Sequence, residues 1–138
     1  MASDQPRIGV VGVGHLGQHH VKHLVKMKHI LFSGIYDHDR DRAGMIASAH
    51  NIKSFDSLPE LIKECDGVTV VTPTADHCKT ALQCLQNGKH VFIEKPISDS
   101  VESADTLLKA AAENGVFIQV GHIERLNPAL VAIKNYKL

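Results

Sequence analysis

Neither sign of charge is in excess in this 138-residue chain, where 15 Lys and Arg stand against 15 Asp and Glu. That balance gives no basic surface for nucleic acid and no charged tail. No apolar run approaches the roughly 20 residues that a membrane helix needs. Met1 to Gln5 is polar and lacks the apolar segment of a secretion signal. A cytoplasmic protein that engages neither nucleic acid nor membrane is expected. Cysteine is scarce: Cys65, Cys78 and Cys84 include no C-x-x-C pair, so reduced, buried thiols are expected rather than a disulfide framework. Low-complexity tracts are missing too. With 43% hydrophobic and 22% charged residues, the composition excludes disorder, and the length suits one domain with a real core.

What is present is a glycine-rich turn. A β-branched run, Ile8 to Val11, leads into Gly12-Val13-Gly14-His15-Leu16-Gly17, and an amphipathic stretch follows at once. This is the strand, turn and helix of a dinucleotide-binding unit. Gly12 permits the tight turn, Gly14 lets a diphosphate approach the backbone, and Gly17 lets the helix pack on the sheet. The helix start supplies unpaired N–H groups and a positive dipole end. Asp37 lies 20 positions past Gly17, at the end of the next apolar run, where a carboxylate accepts hydrogen bonds from the adenosine ribose hydroxyls and repels a 2′-phosphate. NAD is therefore expected ahead of NADP, with Arg40 as the nearby residue that could accommodate NADP. Asp37 or Asp39 could also cap the helix from Arg40 to His50.

Along the chain, helix and strand patterns alternate. A helix is expected over His15 to Met27, with Leu16, Val21, Leu24 and Val25 on its apolar face. His15, His19 and His23 fall at i, i+4 and i+8, with His20 beside them. No carboxylate or cysteine joins them, so they read as a polar face and no metal is expected. Ile30 to Tyr36 is the second strand and Ile52 to Phe55 a short third. Ser57 and Glu60 form a capping box ahead of a short helix ending at Cys65. Val68 to Val71 is a fully apolar strand, buried on both faces, that ends in Thr72-Pro73-Thr74, small polar residues where open α/β sheets bind ligands; Thr74 could equally cap the next helix. That helix, Ala75 to Asn87, turns Cys78, Ala81, Leu82 and Leu85 inward. Val91 to Ile93 is a fifth strand. A helix capped by Asp99 or Ser100 follows, with Val101, Ala104, Leu107, Leu108 and Ala111 inward. Val116 to Val120 is a sixth strand. Asn87-Gly88 and Asn114-Gly115 stop their helices. The alternation implies an α/β fold, a doubly wound parallel sheet of the Rossmann kind.

Gly12-Val13-Gly14-His15-Leu16-Gly17, Asp37, Thr72-Pro73-Thr74 with His77, Glu94-Lys95-Pro96, and Gly121 with Arg125 and Pro128 together resemble the Gfo/Idh/MocA oxidoreductases, a family that includes glucose–fructose oxidoreductase and inositol dehydrogenase. The match covers nearly the whole chain, and Glu94-Lys95-Pro96 is its most specific piece. The resemblance implies that the threonine-proline turn lies against the cofactor, with His77 part of that site, and that Lys95 sits beside the nicotinamide and the substrate hydroxyl, with Glu94 orienting or pairing with it. Lys95 is the catalytic candidate. A cis Lys95–Pro96 bond is expected, because the bond ends a strand beside the site and related proteins with this motif can use one. Val120 to Pro128 is similar to members acting on nucleotide-linked amino sugars, such as UDP-N-acetylglucosamine 3-dehydrogenases. A sugar or nucleotide-sugar substrate and a full-length homo-oligomer are implied.

Members of that family carry a second α/β domain that supplies most of the substrate pocket. Residues 1–122 are thus expected to form the dinucleotide-binding domain and residues 123–138 the start of a second domain that is missing or truncated. Asn127 to Lys137 is read as that domain's first helix, with Ala129, Leu130, Val131 and Ile133 lacking a partner surface. Two functions remain open: a full-length dehydrogenase moving hydride between a sugar hydroxyl and nicotinamide, of which this chain alone is expected to bind cofactor without turnover, or a dinucleotide-binding sensor or interaction module without turnover.

Overall fold

β-branched runs become strands and the amphipathic stretches between them become helices in the computed structural model, which describes residues 5–134. In chain order these are β1 (Arg7–Val11), α1 (His15–Leu24), β2 (Leu31–Tyr36), α2 (Arg40–His50), α3 (Leu58–Lys63), β3 (Gly67–Val70), α4 (Thr74–Gln86), β4 (His90–Glu94), α5 (Val101–Glu113), β5 (Ile118–Gly121), a 3-10 turn (Ile123–Leu126) and α6 (Pro128–Ile133). The strands form one five-stranded sheet in the order β2-β1-β3-β4-β5, every pair parallel. Helices cover both faces. Val10, Val13, Val21, Ile35, Ala43 and Ala47 make the core under α1 and α2. Leu61, Val68, Val70, Leu85, Ile93 and Leu107 anchor the larger core under α3, α4 and α5. Each wholly buried side chain of this size contributes about 1.5–3 kcal/mol.

The chain leaves β1 toward β2 on one side and reaches β3 on the other. The carboxyl ends of β1 and β3 therefore flank the point where the winding direction reverses, the place where open parallel sheets form a crevice.

Several local expectations are corrected. Ile52 to Phe55 is not a strand: it makes only an isolated bridge, Ser54 with Ile35, before the chain turns into α3. The sheet thus has five strands where six were expected. The first helix ends at Leu24 rather than Met27, and Leu16 is 43% exposed rather than inward. In α4 the inward stripe is His77, Thr80, Ala81, Cys84 and Leu85, while Cys78 and Leu82 sit at its edge. Thr74 opens α4 instead of capping it. In α5, Leu107, Ala110 and Ala111 are buried, whereas Val101 and Leu108 face outward. Ser57 accepts from Glu60 N–H, which is one half of the expected capping box, and Ser100 caps α5. Gly88 and Gly115 take the left-handed conformation that ends α4 and α5. Residues 135–137 of the helix expected over Asn127 to Lys137 lie outside the described residues. Its first part, α6, buries no side chain.

Candidate functional site

The glycine turn is held by two close approaches. Gly12 has φ +87°, and a Cβ there would stand 2.7 Å from the carbonyl oxygen of Val71. A Cβ on Gly17 would collide with the carbonyl oxygen of Gly12, so the first turn of α1 can lie on the strand end only if residue 17 has no side chain. Gly14 differs: nothing lies within 4 Å of its Cβ position, which opens toward the cavity that Gly14 lines. Gly14 caps α1 without a side-chain hydrogen bond, and the first turn holds no acidic residue. The leading N–H groups of α1 thus keep both their hydrogen-bonding capacity and the positive end of the helix dipole.

Asp37 stands at the end of β2, across the turn. Its carboxylate accepts from Val13 N–H at 2.8 Å and Asp39 N–H at 2.9 Å. Arg42 adds a fork, Nε at 3.2 Å and Nη2 at 2.8 Å. Burial pushes this carboxyl upward, but the Arg42 hydrogen bonds, the two backbone N–H groups and the Arg42 charge outweigh it and hold it below the usual carboxylate range. Helix α2 positions the fork. Asp39 caps the helix by accepting from Arg42 N–H, and residues in a first turn lean back toward the helix start. Arg40, the arginine expected here, reaches outward to Asp56 at 3.8 Å instead. Arg42 and His38, both on the cavity wall, were missed from the sequence. The fork was legible only as an arginine three residues past a capping aspartate.

Beyond β3, Thr72 and Pro73 form the facing wall. Thr72 Oγ1 is buried with no hydrogen-bond partner. Thr74 does not line the cavity. His77 is 2% exposed beneath the turn, its ring between the carbonyl oxygens of Thr72 at 2.9 Å and Pro96 at 2.8 Å. At the end of β4, Glu94 is 5% exposed and pairs with His20 Nε2 at 2.8 Å, rather than with Lys95. Lys95 is exposed, makes no hydrogen bond among the described residues and lies outside the cavity wall. The Lys95–Pro96 bond is cis, as expected. Of the α1 histidines, His15 lines the cavity and its ring meets that of His19 edge-on at 5.4 Å. Cys65, Cys78 and Cys84 are free thiols, and burial pushes Cys84 up to about 12.

The structure therefore brings Gly12, Gly14, His15, Leu16, Asp37, Thr72 and Pro73 together around a cavity of about 770 Å³, within the range of small-molecule sites. Gly17 shapes it from behind. A dinucleotide fits this set: an uncapped helix start and a bare Gly14 suit a diphosphate, Asp37, His38 and Arg42 give the cavity a polar wall, and the unpaired Thr72 hydroxyl also lines it.

Comparison with known proteins agrees. Residues 6–122 match the Gfo/Idh/MocA family model, described as an oxidoreductase family with an NAD-binding Rossmann fold. The chain is similar to UDP-N-acetylglucosamine 3-dehydrogenase of Acidithiobacillus ferrooxidans, at 37% identity over 124 residues that cover 90% of this chain and 39% of that protein. The solved structure of that enzyme superposes with a TM-score of 0.88 at 35% identity, covering 94% of this chain and 42% of the other. Similarity extends to scyllo-inositol 2-dehydrogenase (NAD(+)) of Bacillus subtilis, at 33% identity over 94% of this chain and 39% of that protein. It also extends to GenD2 from gentamicin A biosynthesis, solved in complex with NAD, with a TM-score of 0.87 at 28% identity over 93% of this chain and 37% of the other. The chain spans about two fifths of the length of these relatives.

Proposed function

The chain belongs to the Gfo/Idh/MocA oxidoreductases and carries their NAD-binding Rossmann fold, and from that premise we propose that it serves an NAD-dependent dehydrogenase acting on a hydroxyl of a sugar or nucleotide-linked sugar. The observation that carries this reading is the glycine turn opening onto the cavity beside Asp37. Gly12, Gly14 and the start of α1 would hold the diphosphate, Asp37 and Arg42 would wall the adenosine ribose, and Thr72 and Pro73 would bound the nicotinamide half. Bound NAD supplies the hydride acceptor. Lys95 is assigned to hold or take the hydroxyl proton; in support, it follows β4 two residues past the last residue to pair with β3, at the carboxyl edge of the sheet. His77 and Glu94 shape the site from behind: His77 lies under the threonine-proline turn, and Glu94 ties the end of β4 to α1 through His20.

Residues 1–122 form the cofactor domain, and Ile123 begins a second unit. In support, the 3-10 turn and α6 contain no buried residue. The nucleotide-sugar substrate is supported by the identity to the Acidithiobacillus enzyme. No helix among the described residues is long and apolar enough to cross a membrane; cytoplasmic location and a homo-oligomeric full-length protein are part of the proposal. The second reading, a binding module without turnover, draws on the exposed and unpaired position of Lys95. Reduced-cofactor formation with NAD and a panel of free and nucleotide-linked sugars, assayed on the complete gene product, separates the two. Turnover that is lost in Lys95→Met, with NAD affinity kept, supports the dehydrogenase; NAD binding with no turnover on any sugar favours the module.

A further inference from the structure

Both ring nitrogens of His77 face carbonyl oxygens: Nδ1 is 2.8 Å from the oxygen of Pro96 and Nε2 is 2.9 Å from the oxygen of Thr72. A carbonyl oxygen only accepts, and a neutral imidazole carries one N–H. A neutral ring therefore satisfies one carbonyl and turns a lone pair on the other at hydrogen-bonding distance. A ring with hydrogen on both nitrogens donates to both. The residue is 2% exposed, so bulk solvent does not reach the ring.

The two partners belong to different turns. Thr72 follows β3 and lines the cofactor cavity, whereas Pro96 follows β4 and adjoins Lys95. His77 lies in the first turn of α4, the crossover joining these two strands, so one side chain spans both carboxyl ends. We propose that His77 is a positioning residue, a clamp that donates from both ring nitrogens and sets the Lys95–Pro96 turn against the Thr72–Pro73 turn, closed while the ring carries both hydrogens and released on one side when it loses one. The link to cofactor rests on the function proposed above.

Carrying both hydrogens places a charge in a buried site near the positive end of α4, a cost that charge-assisted bonds to two carbonyls offset. The ionisable groups of the surrounding elements are Asp76, Cys78, Lys79 and Cys84 on α4, His90 and Glu94 on β4, Lys95 and Asp99 in the loop beyond, and Glu102, Asp105, Lys109 and Glu113 on α5. Glu94 is taken by His20, Cys84 is buried and Cys78 half-buried as thiols, and the others are exposed. Among the described residues no carboxylate pairs with His77, so its charge state reports on the two carbonyls.

The test is NMR of the 138-residue chain labelled with nitrogen-15 in histidine and with carbon-13 at the threonine and proline carbonyls, with NAD affinity measured over the same pH series on the unaltered chain and on His77→Gln. The His77 signal is assigned by its loss in that variant. The expected result has two parts. With the clamp closed, both His77 nitrogens carry hydrogen and couple to the Thr72 and Pro96 carbonyls. Over the part of the series in which one of these hydrogens is lost, NAD affinity falls about three- to tenfold, the worth of one net hydrogen bond, and this component is missing from His77→Gln. Hydrogen on a single nitrogen throughout would overturn the clamp, as would a His77→Gln chain whose NAD affinity follows the unaltered pH profile. If His77→Gln does not fold, His77→Asn takes its place, and the nitrogen couplings decide without any variant. A chain that binds no NAD defeats the proposed function instead, while the couplings still read the clamp.

Discussion

Removing the Arg42 side chain should sharpen the preference for NAD over NADP. In the structure the guanidinium fork covers the Asp37 carboxylate, with 2.8 Å and 3.2 Å bonds, so the charge that should repel a 2′-phosphate is met by an opposite charge at the same place. A unit charge about 5 Å from the phosphate is worth roughly 3 kcal/mol at an effective dielectric near 20. Arg42 is 32% exposed, so water at the cavity mouth screens part of that, leaving about 1–2 kcal/mol. Arg42→Ala should then raise the ratio of NADP to NAD dissociation constants by roughly five- to thirtyfold. Stability should fall by about 1–3 kcal/mol, because Asp37, 2% exposed, keeps only the Val13 and Asp39 N–H groups and the exposed His38 ring at 3.3 Å. Arg42→Lys keeps the charge without the fork and should fall between. Calorimetric titration of both cofactors into each chain reads the ratio directly. A ratio unchanged in Arg42→Ala would refute the reasoning, since the guanidinium would then contribute nothing at the 2′ position.

Gly17→Ala should destabilise the chain by about 3 kcal/mol and abolish NAD binding, because its Cβ meets the backbone oxygen of Gly12, not a side chain that can yield; thermal melting and cofactor titration check both. Acid should weaken the fold through Asp66, whose carboxyl Arg7 holds at about 2 against 3.8 for an unperturbed group. That contribution is complete above 3.8 and lost as pH falls toward about 2; urea midpoints over this range should show it, and salt should shrink it because the pair is half exposed. Thiol reagents at neutral pH should modify Cys78 first and leave Cys84 until unfolding, since Cys84 is buried and pushed up to about 12; labelling of Cys84 in the native chain would contradict its placement.

The glycine turn, Asp37, the bounds of α2 and the parallel alternation were legible because each rests on local chemistry: a backbone approach, a capping aspartate, a β-branched run. What escaped the sequence depends on tertiary partners. Ile52 to Phe55 has strand-like residues, but only Ser54 finds a bridge on β2. Leu16 fits an apolar helix face, yet it lines the cavity mouth. His77 takes an inward place that helical spacing gave to Cys78, because two carbonyls wait for it there. Arg42 rather than Arg40 meets Asp37 because α2 begins at Arg40, which sends that side chain outward and leans residue 42 back over the strand end. Glu94 was assigned to its neighbour in sequence, Lys95, and found a partner 74 residues away.

The central claim is that the cavity at the switch point is a dinucleotide site, and mapping backbone amide shifts as NAD is added to the 138-residue chain tests it most directly. The account predicts saturable shifts at Val13 to Leu16, His38 and Thr72, with little change at Lys53, Asp56 and Lys63, which line a separate hollow. Shifts confined to that second hollow, or no saturable shift at the glycine turn, would contradict it.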